Sequence, residues 1–107
     1  MDPIVLSGSQ KSRLRGIGQR TEPSVRVGKD GITPALLSEL RRQLGARELV
    51  KLRFAGIARD ERADLCTKLS EASGSAFVGS VGQTALFFSP SGNENAGSLL
   101  GSDDSEA

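Results

Sequence analysis

Ser24-Val25-Arg26-Val27-Gly28-Lys29-Asp30-Gly31-Ile32-Thr33-Pro34 is the stretch on which the reading of this chain turns. Ser24 to Val27 has the β-branched alternation of a short strand. Thr33 is a good N-cap, and Pro34 suits the first helical position, where a missing N–H costs nothing. Between them, Gly28-Lys29-Asp30-Gly31 forms a Gly-x-x-Gly loop, whose bare backbone can pass close to a sugar–phosphate chain. A loop placed just before a helix start also turns amides and the positive end of the helix dipole toward a ligand, and Lys29 adds a cation. Asp30 opposes this unless its carboxylate points away. A nucleotide-binding P-loop is excluded, because that motif needs glycine and Ser/Thr where Pro23 and Asp30 stand.

Outward from the loop, Leu36, Leu37, Leu40 and Leu44 make the buried stripe of a helix that leaves Ser38, Arg41 and Arg42 toward water, and Gly45 is the expected stop. Leu49 to Phe54 alternates, with Val50, Leu52 and Phe54 inward and Lys51 and Arg53 on a basic outer face. A third helix is expected from an Asp60 cap through Leu65, Leu69 and Ala72 to Gly74. Ala76–Val81 and Thr84–Phe88 read as a hairpin around Gly82-Gln83, a glycine-first turn of type II′. Upstream, Ser7-Gly8-Ser9-Gln10 is a capping box for a helix from about Ser9 to Gln19, weakened by Gly16 and Gly18. The order α-β-α-β-α-β-β implies one α/β domain with a mixed four-stranded sheet. Strands separated by helices are expected as parallel neighbours, and the last two as an antiparallel pair. Residues 91–107, rich in Ser, Gly, Asn and acid, read as a flexible acidic tail.

Charge placement says more than the net charge of +1. All fourteen lysines and arginines lie between Lys11 and Lys68, and residues 7–53 hold eleven of them against four acids, a local excess of +7. Such a body attracts polyanions. No apolar run approaches the roughly 20 residues of a membrane span, and the first residues lack the form of a secretory signal, so a cytoplasmic location is expected. With no histidine, no tyrosine and a single cysteine, Cys66, the chain is poor in catalytic and metal-binding groups. No enzyme, metal or cofactor is expected. Asp60, Glu61 and Asp64 are better explained by a helix N-terminus than by chemistry. A second glycine pair, Gly79 and Gly82, falls in a predicted strand and its turn and reads as structural.

Several blocks, in order, resemble the CRM domain, the RNA-binding module of YhbY-like bacterial proteins and plant organelle splicing factors. They are Leu6 through Lys11, Leu14-Arg15, Pro23 through Gly31, Ala46 through Lys51, Asp60-Glu61-Arg62 and Val81-Gly82-Gln83. The likeness covers about residues 5–90. It implies a fold related to the C-terminal domain of translation initiation factor 3, an RNA contact at Gly28, Lys29, Asp30 and Gly31, and association with precursors of the large ribosomal subunit. Lys11, Arg15, Arg41, Arg42 and Lys51 are the expected phosphate partners around that loop, with RNA and not DNA or a membrane as the ligand. A protein-interaction module on the same fold is the competing reading. The chain departs from the family at Arg13, where an aromatic is common, at Gly16 and Gly18, at Asp30, where Asn is usual, and at Phe88-Ser89, where Tyr-Arg is usual.

Overall fold

Ser7 starts the first helix, α1 (Gly8–Gln19), with the expected capping box: its hydroxyl accepts from the Gln10 amide at 3.1 Å and its amide donates to Gln10 Oε1 at 2.9 Å. This is a computed structural model that describes residues 6–89, and the acidic segment at 91–107 lies outside them. β1 (Val25–Val27) leads to α2 (Pro34–Arg47), whose N-cap Thr33 accepts from the Leu36 amide at 3.1 Å. Gly45 does not end α2. The helix continues through Arg47, and Glu48 makes the reversal at φ 70°, its amide still bonded to the Leu44 carbonyl at 2.9 Å. Glycine inside a helix costs only about 1 kcal/mol, and the added turn delivers Leu49 and Val50 directly into the sheet.

β2 (Leu49–Phe54) precedes α3 (Arg59–Ser73), which starts one residue before Asp60 with Ala58 at the N-cap. Asp60 is therefore not the cap. It shares the first turn with Glu61, where the helix dipole favours carboxylates. Gly74 closes α3 in the left-handed region, as expected. β3 (Ala76–Val81) and β4 (Thr84–Phe88) form the hairpin, with positive φ at Gly82 and not at Gln83, the signature of a type II′ turn.

The sheet order is β1-β2-β4-β3. β1 and β2 are parallel neighbours as expected, but β2 and β3 are not neighbours: β4 lies between them, antiparallel to both. Composition explains the insertion. Ala85, Leu86, Phe87 and Phe88 are all buried and fill a central strand covered on both faces, whereas β3 ends in the half-exposed Gly79 and the exposed Ser80 and Val81 and suits an edge. α2 and α3 cover one face over Val27, Leu40, Leu52, Phe54, Leu69 and Phe87. α1 covers part of the other over Leu14, Leu49, Val78, Leu86 and Phe88. The outer face of β2 is thus only half open: Leu49 is buried beneath α1 and Lys51 is half-buried, while Arg53 stays exposed.

Candidate nucleic-acid interface

β1 delivers Val27 into the core at 1% exposure, and the Ala55 amide donates to the Val27 carbonyl at 2.8 Å, fixing the loop entrance to the end of β2. Gly28–Gly31 then closes as a turn, with the Gly31 amide donating to the Gly28 carbonyl at 2.9 Å. Gly31 has φ 69°, which side chains rarely tolerate, and the space beside Gly28 is open. Lys29 and Asp30 stand exposed at the tip. The helix start behind them offers fewer amides than expected. Pro34 has no N–H and Leu36 already donates to Thr33 Oγ1, leaving Ala35 as the open amide among the first three helical positions.

The two flanks of the loop differ in charge. Toward α3, Lys29 shares a hollow with Gly56, Glu61, Asp64, Leu65 and Lys68, in which Asp64 and Lys68 pair at 3.1 Å. Toward β1, a hollow joins Lys29 and Gly28 to Arg26, Asp30, Thr33 and Leu36. Counting Lys29 in both, the hollow toward α3 sets two cations against two carboxylates and the hollow toward β1 sets two against one, so a polyanion at the loop tip is favoured toward β1.

The other expected phosphate partners divide into two groups. Arg15 is exposed, its stem lying over Gly79 so closely that a side chain there would come within 3.2 Å of Arg15 Cδ. Lys11 is half-buried four residues earlier on α1, on the same helix side. Lys51, Arg41 and Arg42 have work inside the fold. Lys51 Nζ donates to the Gly18 carbonyl at 3.1 Å, a cation at the negative end of α1. Arg41 does the same for α3, donating to the Ala72 carbonyl at 2.6 Å. Arg42 grips Glu39 through two hydrogen bonds of 3.1 and 2.6 Å. That contact, with a further bond from Gln43, holds the Glu39 carboxyl down at about 2. Gln43 also donates to the Ser24 carbonyl at 3.2 Å, which ties this network to the entrance of β1.

Two residues outside that expected set stand out. Arg26 and Arg53 are register partners on β1 and β2, both exposed, and both on the sheet face that α1 leaves open. Strand alternation in the sequence gives the facing of each, but only the parallel β1–β2 pairing brings them side by side. The second glycine pair lies in β3 and its turn, as expected. Cys66 is 3% exposed, and burial pushes its thiol up to about 11 against the opposing pull of Arg62, so it is no nucleophile at neutral pH. No group of metal-ligating side chains occurs among the described residues, and no described helix is long and apolar enough to cross a membrane.

Element order, sheet topology and the exposed glycine loop define a single α/β domain of three helices and a mixed four-stranded sheet. The chain belongs to the CRS1/YhbY (CRM) domain family, whose model matches residues 6–88. It is 34% identical over 98 residues to a Pseudomonas aeruginosa protein named "Probable RNA-binding protein", covering 90% of this chain and 94% of that one. A Haemophilus influenzae protein named "RNA-binding protein" is 29% identical over 86 residues, covering 80% and 87%. Among solved structures, a Staphylococcus aureus protein described as a candidate RNA-binding protein superposes with a TM-score of 0.75 at 29% identity, covering 84% of this chain and 94% of that one.

Proposed function

We propose that this protein binds RNA through the Gly28–Gly31 loop and its basic surroundings, and that its target is ribosomal RNA in precursors of the large subunit. The observation that carries the reading is a bare-backbone turn with Lys29 at its tip, held between β1 and the capped α2, in a chain of the CRM family. Relatives named for RNA binding support the ligand class. The family resemblance supports the ribosomal target. The role is binding and not catalysis: the acids of the α3 first turn sit where a helix dipole places them, and the buried thiol is held protonated. The chain acts in the cytoplasm, where such a target is found.

Salt titration tests the reading. If about five phosphates are neutralised, log affinity for a duplex RNA falls against log salt with a slope of roughly −4.5. Purified protein that leaves structured RNA unshifted at moderate salt would refute RNA binding and favour protein interaction through the same surface. Crosslinking in cells separates the ribosomal target from other RNAs.

A further inference from the structure

Arg26 and Arg53 face one another across the β1–β2 ladder, on strands about 4.8 Å apart. Like charges directly opposite each other destabilise a sheet. Neither side chain has an ion-pair partner among the described residues, whereas Arg41, Arg42, Lys51, Arg62 and Lys68 are among those engaged with carboxylates or carbonyls. The pair therefore contributes nothing visible to the fold, and α1 leaves its face of the sheet uncovered. Arg26 lines both the hollow at the loop tip and a second one with Arg53, Pro23 and Ser24. Thr84 is the register partner of Arg53 on β4 and lines a third hollow with Arg15 and Lys51. The cations Lys29, Arg26, Arg53 and Arg15 thus mark a path from the loop, over the edge of β1 and across the open half of the sheet, toward α1.

We infer that RNA leaves the glycine loop along this path, its sugar–phosphate backbone held by Arg26 and Arg53 with Arg15 beyond them. The inference rests on the RNA-binding reading above and adds the direction of travel and the form of RNA. Direction follows from charge, since the opposite flank of the loop sets Glu61 and Asp64 against Lys29 and Lys68, whereas this flank sets Asp30 alone against Lys29 and Arg26. Form follows from what the path lacks. Recognition of single strands commonly uses exposed aromatic side chains on which bases stack. Phe54, Phe87 and Phe88 are buried, Phe77 packs against the core, and the chain has no Tyr, Trp or His. A surface that offers cations without a stacking platform fits the backbone of helical RNA, read by shape.

The test is fluorescence anisotropy with a labelled RNA hairpin at low salt. It compares the full chain with an Arg26→Gln/Arg53→Gln double variant, the matching double Lys variant, Lys29→Gln, and Arg47→Gln at the far end of α2. The Gln pair is expected to weaken binding at least tenfold and to flatten the salt slope by roughly two, with an unchanged or higher melting temperature. The Lys pair should keep most of the affinity, and Arg47→Gln all of it. If the folded Gln pair binds like the parent while Lys29→Gln does not, the path is wrong and the loop reading stands. If the parent binds neither the hairpin nor an unstructured strand of the same length, RNA binding itself fails. An oligouridine strand that competes as well as the hairpin would overturn the helical form.

Discussion

The side chain of Leu86 occupies the space that a side chain on Gly18 would need: a Cβ there would stand 2.4 Å from Leu86 Cδ1 and 3.1 Å from Leu86 Cγ. Gly18 is where α1 comes down onto β4, and Gly16, two residues earlier, has nothing within 4 Å of the same position. One substitution on one helix therefore has opposite expected effects. Gly16→Ala should stabilise by up to about 1 kcal/mol through helix propensity. Gly18→Ala gains the same propensity but overpacks a buried contact, at a cost of roughly 1–3 kcal/mol, and should lower the melting temperature. Thermal unfolding of the two variants beside the parent decides it.

Lys29→Asp isolates the loop. Lys29 is exposed, and the glycine conformations at 28 and 31 do not depend on it, so the fold should change in stability by less than about 0.5 kcal/mol. Binding to a structured RNA should weaken at least about tenfold, or roughly 1.4 kcal/mol. Arg62 is a poor control, because its guanidinium donates to the Ile57 carbonyl at 2.9 Å and holds the start of α3. Arg47→Asp, exposed at the far end of α2, is the better one and should keep near-parent affinity.

Glu39 gives a pH-dependent prediction. Its carboxyl is held at about 2, below its ordinary value of 4.5, first by the hydrogen bonds from Arg42 and then by that from Gln43. A lowered folded pKa stabilises above the ordinary value and loses that contribution as pH falls toward the folded one. The loss should therefore fall between about pH 5 and pH 2, modest because the pair is exposed to solvent. Glu39→Gln should flatten the stability curve in that window. Denaturant melts at pH 6 and pH 3 measure the difference, which should shrink at high salt.

Cys66 should behave as a core group. A disulfide reagent at pH 8 is expected to modify the native protein more than about tenfold slower than the unfolded chain, since attack needs both exposure and thiolate. The raised folded pKa implies that stability falls as pH rises above about 8.5, where the unfolded thiol ionises and the native one does not. Reaction kinetics with and without urea provide the measurement.

Much of this was readable from residues with one strong local preference. Ser7 with Gln10, Thr33 with Pro34, Gly74 and Gly82 each sit in the cap or turn expected of them, because their chemistry acts within a few residues. Local rules failed where tertiary packing overrode them. Gly45 stayed helical because the chain needed another turn to reach the sheet, and Asp60 lost the cap to Ala58. The same limit applies to the site. The loop was legible, but the engagement of Arg41 with Ala72 and of Lys51 with Gly18, and the pairing of Arg26 with Arg53, join positions 27 to 33 residues apart. No periodicity within one element carries that information.

The insertion of β4 between β2 and β3 also constrains how the protein is born. A growing chain that has reached Val81 possesses β1, β2 and β3, but the gap between the last two is one strand wide, and nothing yet made can fill it. At roughly 5–20 residues per second, synthesis reaches Thr84 roughly 3–11 seconds after Gly31. The loop hangs from β1 and α2, and β1 is held by β2, whose other edge pairs with β4, so a chain that stops short of the central strand lacks one side of the ladder that carries the loop's anchor. On the proposed reading of the loop, a chain stopped before Thr84 should therefore bind RNA more weakly than the finished domain.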